Sequence, residues 1–102
     1  MARVKVGKTS EIEKGNAKAF KVGKDEVAVY HTENDEWYAT TDICTHEQCN
    51  LSYGKLSDHE IECHCHGAKF DVSDGSVLLP PAVEPLKTFK VFVEGEDVLI
   101  EG

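Results

Sequence analysis

Short runs in which apolar and polar positions alternate dominate this chain, and none carries the 3.6-residue period of a long helix. Ala2 to Val6, Ala17 to Val22, Glu26 to Thr32 and Trp37 to Thr40 are rich in β-branched or aromatic residues, and each predicts a strand. Alternation is clearest at Phe20 and Val22 and at Val27 and Val29, where every second side chain can face a core. Turn residues punctuate the runs. Gly7 and Gly15-Asn16 break the first pair, Gly23-Lys24-Asp25 the second, and Glu33-Asn34-Asp35-Glu36 makes a hairpin loop between Tyr30 and Trp37. Ser10 to Glu13 has room for one helical turn capped by Ser10, and no more.

The second half continues in the same way. Leu51 to Ser57, a turn at Asp58-His59 and Glu60 to Cys63 read as a hairpin, and Lys69 to Val72 ends in the turn Ser73-Asp74-Gly75. Leu79 to Pro85 is expected as a loop, because proline donates no ladder hydrogen bond. Lys87 to Glu94 and Val98 to Glu101 flank Gly95-Glu96-Asp97 and close the chain with a hairpin. Strands at this spacing predict an all-β fold, an antiparallel sandwich or barrel.

At 102 residues the chain suits one domain, residues 1–102, able to bury roughly 60 to 70 % of its unfolded surface. Its apolar content of 40 % argues for a globular chain, and no apolar run approaches the roughly eighteen residues of a membrane span. The start, Met1-Ala2-Arg3-Val4-Lys5-Val6, lacks the continuous apolar segment of a secretory signal, which predicts a cytoplasmic protein. A formal charge of −8 argues against nucleic acid or anionic membrane as partners and favours a partner with a basic docking face.

Candidate chemistry is concentrated in Cys44-Thr45-His46 and Cys63-His64-Cys65-His66-Gly67. Each supplies a cysteine and a histidine, spaced C-x-H and C-x-x-H, so that a thiolate and an imidazole on one tight loop can converge on a single centre. Two thiolates and two imidazoles satisfy tetrahedral zinc as well as iron, which leaves a structural zinc-binding interaction module as one reading. The usual two-cysteine, two-histidine zinc finger carries its histidines on a helix, and no helical period is present here. A 2Fe-2S cluster, with cysteines on one iron and histidines on the other, suits both the ligand count and the β-rich host. No nucleophile-and-base constellation, phosphate-binding glycine motif or dinucleotide fingerprint appears.

The order Cys44-Thr45-His46, Leu51, Gly54, Ile61-Glu62-Cys63, His66-Gly67, Phe70-Asp71 and Gly75, then a proline-bearing loop and a closing hairpin, resembles the Rieske family through most of the chain. The resemblance implies one 2Fe-2S cluster per chain. Cys44 and Cys63 would bind the buried iron, and His46 and His66 the outer iron near the surface. It implies a small cluster-binding subdomain of two loops, approximately residues 43–82, on a base domain formed by the remainder. The length is similar to that of soluble Rieske-type ferredoxins: monomeric one-electron carriers, not themselves enzymes, between a reductase and a terminal oxygenase or similar oxidoreductase. A small Rieske subunit of a nitrite reductase is the alternative within the family.

Several positions refine the expectation. Cys49 and Cys65 stand where high-potential Rieske proteins have a disulfide, whereas Ala68 and Phe70 replace the serine and tyrosine whose hydroxyls donate to the cluster in those proteins. By that resemblance the missing donors imply a lower potential. His64 takes the place of a usual proline and rivals His66 as a ligand; His66 is favoured because it precedes Gly67 at the family spacing. His31 and His59 are expected as solvated side chains, Trp37 and Tyr38 as packing in the base domain, and Leu51 and the Pro80 to Pro85 loop as cover for the cluster.

Overall fold

The computed structural model describes residues 3–22, 25–43, 49–63, 67–79 and 84–101. Among them, ten strands form two antiparallel sheets: β1 (Arg3–Lys8), β2 (Asn16–Val22), β3 (Asp25–His31), β4 (Trp37–Thr41), β5 (Lys55–Ser57), β6 (Glu60–Glu62), β7 (Lys69–Asp71), β8 (Val77–Leu79), β9 (Thr88–Glu94) and β10 (Asp97–Glu101). The larger sheet has the order β1-β10-β9-β4-β3-β2 and curls until its two edge strands approach each other, close to a barrel. The smaller has the order β5-β6-β7-β8. The expected all-β fold is therefore what the chain adopts.

β3 explains how the two layers are joined. A strand's successive side chains point to opposite faces, and a strand buried on both reads as a continuous apolar run, as Val27-Ala28-Val29-Tyr30 does. Val27 and Val29 face into the curled sheet and pack with Ile12, Ala39, Val98 and Ile100. Ala28 and Tyr30 face the other way, into a second core with Leu51, Ile61, Cys63, Ala68, Phe70, Val72 and Leu86. The small sheet is thus a lid on the outer face of the β3 side of the large one. Tyr30 is fully buried; its hydroxyl donates to Thr40 Oγ1 at 2.9 Å, since that oxygen's own hydrogen is directed to the Thr41 carbonyl. Burial pushes the Tyr30 phenol far above its usual range, and the nearby Asp42 carboxylate adds to the rise.

Four local expectations are corrected. β1 runs through Gly7 to Lys8, because the register shift between Lys5 and Gly7 leaves Val6 as the extra residue and returns Gly7 to the ladder opposite Val98 of β10. The short turn after it is a 3-10 turn at Thr9–Glu11, and Ser10 is not its cap. Lys8 stands there, with the Glu11 carboxylate accepting its N–H at 2.6 Å. Leu51–Tyr53 is a second 3-10 turn, so the strand of that hairpin begins only at Lys55. Val77–Leu79 pairs with β7 as an edge strand, where a loop had been expected at Leu79: the first proline is residue 80, so the ladder can run to Leu79.

Candidate metal centre

The described residues that flank the two cysteine–histidine motifs are held together by the scaffold as two closed necks. The first leaves the end of β4. Ile43 and Asn50 form an isolated antiparallel bridge, and the Leu51 N–H donates to the Asp42 carbonyl at 2.6 Å. The Asp42 side chain, fully buried, accepts from Asn50 Nδ2 at 2.6 Å and from the Ser52 N–H at 2.8 Å. A buried carboxylate is costly unless it is hydrogen-bonded, and both bonds reach across the neck. The second excursion leaves the end of β6. The Cys63 N–H donates to the Ala68 carbonyl at 2.7 Å and the Gly67 N–H to the Cys63 carbonyl at 3.0 Å.

The two necks meet. Gly54, just after the first excursion, lies so close to the Glu62 carbonyl, just before Cys63, that a Cβ there would overlap the oxygen. Leu51, Cys63, Ala68 and Phe70 share one core, with Cys49 packed against it. Cys63 is only 2 % exposed, yet it also lines a cavity of about 350 Å³ with Tyr53, Gly54, Lys55, Glu62 and Gly67. The proline-bearing loop is tethered to the same region: the Leu86 N–H donates to the Gly75 carbonyl at 2.8 Å, and Leu86 is buried in that core.

Of the expected ligands, the structure describes Cys63; Cys44, His46 and His66 lie outside the described residues, as do His64, Cys65 and residues 80–83. Cys49 is disulfide-bonded. Ala68 and Phe70, where hydroxyl donors were expected to be missing, are fully buried beside Cys63, and Leu51 is likewise buried there. A thiol in an apolar core that opens to a cavity between two closed necks fits a cluster ligated from two loops, with one side dry and one side reachable. The described residues contain no α-helix of the kind that carries a zinc finger's histidines.

The remaining histidines are placed differently from one another. His31 was expected to be solvated; it is buried, stacked on Trp37 with ring centroids 3.9 Å apart. Its Nδ1 is 2.8 Å from the Ile12 carbonyl oxygen and its Nε2 2.6 Å from the Asp35 carboxylate, whose pKa that hydrogen bond lowers. The loop Glu33 to Glu36 folds Asp35 back onto the ring, a contact invisible in strand periodicity. His59 is the more exposed, as its turn predicted, but it is partnered: Nε2 donates to Glu36 Oε1 at 2.6 Å and its ring meets Tyr38 edge-on at 5.4 Å. The Glu36 carboxylate raises the His59 pKa above its ordinary value. Trp37 packs in the larger sheet's core as expected, whereas Tyr38 packs on the side of the small sheet. Sequence reasoning missed Asp42. The signal was a lone acid in the otherwise uncharged run Trp37 to Cys44, entering a segment that reads as buried strand.

Comparison with known proteins agrees with this geometry. The family model described as the Rieske [2Fe-2S] domain matches residues 2–90. The ferredoxin component of a biphenyl 2,3-dioxygenase from Rhodococcus jostii (strain RHA1) is 38 % identical over 101 residues, covering 99 % of this chain and 94 % of its own length. The solved ferredoxin of carbazole 1,9a-dioxygenase from Nocardioides aromaticivorans IC177 superposes with a TM-score of 0.91 at 32 % identity, over 98 % of this chain and 97 % of that one. A chain from a complex of reduced oxygenase and oxidized ferredoxin in carbazole 1,9a-dioxygenase gives a TM-score of 0.89 at 36 % identity, over 96 % of this chain and 100 % of that one. A fold with two loop necks converging on a buried cysteine, matched along nearly its whole length, belongs to a known class: this chain is a member of the Rieske 2Fe-2S domain family, and its cofactor is a single 2Fe-2S cluster.

Proposed function

We propose that this chain is the ferredoxin component of an oxygenase system, a one-electron carrier between a reductase and a terminal oxygenase, with Cys44 and Cys63 holding the inner iron and His46 and His66 the outer one. The observation that carries the reading is the meeting of the two necks at Gly54 and Glu62, beside the buried Cys63. When bound, the cluster supplies a reversible one-electron couple. The chain's own residues then have three tasks. Cys63 offers its sulfur from an apolar core, and Leu51, Ala68 and Phe70 exclude water from that side. The hydrogen bonds at both necks tie together the described residues on either side of each loop. Tyr53, exposed at the rim of the cavity, leaves the other side open to a partner.

The relatives named above are ferredoxin components of dioxygenase systems, which supports a reductase as donor and an oxygenase as acceptor. Such a carrier is not itself an enzyme. The reading further takes residues 1–102 as one domain with residues 43–82 as its cluster-binding part, a Cys49–Cys65 disulfide, a monomer, and a cytoplasmic location; no helix among the described residues is long and apolar enough to cross a membrane. Reduction takes the formal charge of the oxidised holoprotein from −8 to −9 when a formally neutral cluster gains its electron. The test is replacement of the native ferredoxin in a biphenyl or carbazole dioxygenase assay. This chain should be reduced by the reductase, accept one electron per chain in coulometry and be reoxidised by the oxygenase. A protein that takes up no electron, or that exchanges with neither component while the native ferredoxin does, overturns the proposal.

A further inference from the structure

We infer that Asp42 is a positioning residue for the cluster: its buried carboxylate fixes the register of the first ligand loop. The inference rests on the Rieske reading above. Asp42 follows β4 and stands two residues before Cys44. Its N–H donates to the Glu26 carbonyl at 2.8 Å, which secures the residue to the strand layer, and its carbonyl accepts from the Leu51 N–H at 2.6 Å. That bond belongs to the bridge between Ile43 and Asn50, the single bridge at this neck among the described residues.

One bridge is a weak determinant of register, and a slip of one residue would pair Ile43 with a different residue of the returning segment. The carboxylate removes the ambiguity by engaging two different groups on the returning strand. Oδ2 accepts from the Asn50 amide and Oδ1 from the Ser52 N–H. A slip would break both, leaving a fully buried charge without those partners, and that is the costly case for any buried ion. An apolar pair could close the neck with comparable stability, but it would tolerate the slip. The geometry therefore assigns the carboxylate to specificity of the loop, and through the loop to the site of Cys44 and His46.

The donor and acceptor roles allow a decisive exchange. Asp42→Asn removes the charge and leaves one acceptor oxygen where Asn50 and Ser52 each used one, Asn50→Asp turns a carboxylate toward the Asp42 carboxylate, and the double variant restores a carboxylate–amide pair with its polarity reversed. The holoproteins are compared by the electron paramagnetic resonance spectrum after dithionite reduction and by the rate at which visible absorbance bleaches in the presence of a chelator. Each single variant should broaden or shift the rhombic signal and bleach about tenfold faster or more, in proportion to the loss of a charge-assisted hydrogen bond. The double variant should return toward the natural protein in both readouts. Asn50→Ala removes one of the two carboxylate bonds from a half-buried position, and it should show the same spectral change if Asp42→Asn does not fold. Singles with an unchanged spectrum and bleaching rate, or a double variant no better than the sum of the singles, overturn the inference. Iron and sulfide in the unsubstituted protein report separately on the Rieske reading, so failure of one is not mistaken for failure of the other.

Discussion

Replacing Gly54 by alanine tests the convergence of the two necks without touching a ligand. A Cβ at this position overlaps the Glu62 carbonyl oxygen and lies 3.1 Å from both the Glu62 carbonyl carbon and the Leu51 carbonyl oxygen. All three atoms are backbone, so no side chain can swing away. Ordinary carbon–oxygen contact begins at about 3.3 Å, and relief requires the two segments to part by on the order of 1 Å. That displacement acts on the residue next to Cys63 and on the Gly54 N–H, which donates to the Leu51 carbonyl at 2.8 Å. Overpacking of this kind costs typically about 1–3 kcal/mol. In a domain of this size each kcal/mol corresponds to roughly 4–8 °C in Tm, so a fall of about 5–25 °C is expected. Calorimetry at a fixed scan rate measures it, with iron content determined on the same samples. Gly54→Ala should melt earlier and also lose iron more readily. A variant with the parent's melting temperature and full iron would show that the necks are not in the contact described.

Four further outcomes follow from particular side chains. Ala68→Ser with Phe70→Tyr should raise the midpoint potential in protein-film voltammetry from the lower half of the roughly −150 to +300 mV range of Rieske centres, because a donor near sulfur favours the reduced state; an unchanged midpoint refutes the missing-donor argument. Mass spectrometry after alkylation without reductant should find Cys49 and Cys65 unlabelled and joined, and two labelled thiols would reject the pairing. His59, held by the Glu36 carboxylate, should titrate by NMR above its ordinary value of 6.5, and a midpoint at or below it would contradict the contact. Because the folded-state pKa is the raised one, the stability this pair contributes is complete below about 6.5 and fades as pH rises through the folded value. His59→Gln should therefore destabilise at pH 6 and lose its effect at alkaline pH in urea titrations; a difference that grows with pH refutes the sign.

How much of this was legible in the sequence depends on the range of the interaction involved. Alternation at Val27 and Val29 announced a strand, and the uninterrupted Val27-Ala28-Val29-Tyr30 already carried the signature of burial on both faces. Cys63 was readable as a candidate ligand from its spacing to histidine, while Cys44, His46 and His66 lie outside the described residues; Gly54 and Gly75 were readable as members of the family's ordered pattern. What escaped was tertiary. His31 lies at the end of a strand whose sequence says nothing of Trp37 stacking on it or Asp35 folding back to it. Val77–Leu79 is three residues long and adjoins prolines, too short for periodicity to register. Asp42 is an acid in a strand-like run, and only the returning Asn50 and Ser52 reveal why its charge is tolerated. Gly7 read as a breaker because a glycine that ends a strand and one that sits at a register shift look alike without the partner strand.

Whether Cys44, His46, Cys63 and His66 hold a 2Fe-2S cluster is decided by metal and sulfide analysis joined to electron paramagnetic resonance on freshly purified protein and on the four single ligand substitutions, with His64 substituted as control. About two irons and two acid-labile sulfides per chain are expected, with a rhombic signal that appears only on reduction and carries nitrogen couplings from two histidines, and with loss or severe alteration of that signal in all four ligand variants but not in the His64 variant. One zinc per chain without sulfide, or a signal that survives replacement of His66 and vanishes with His64, would contradict this ligand assignment.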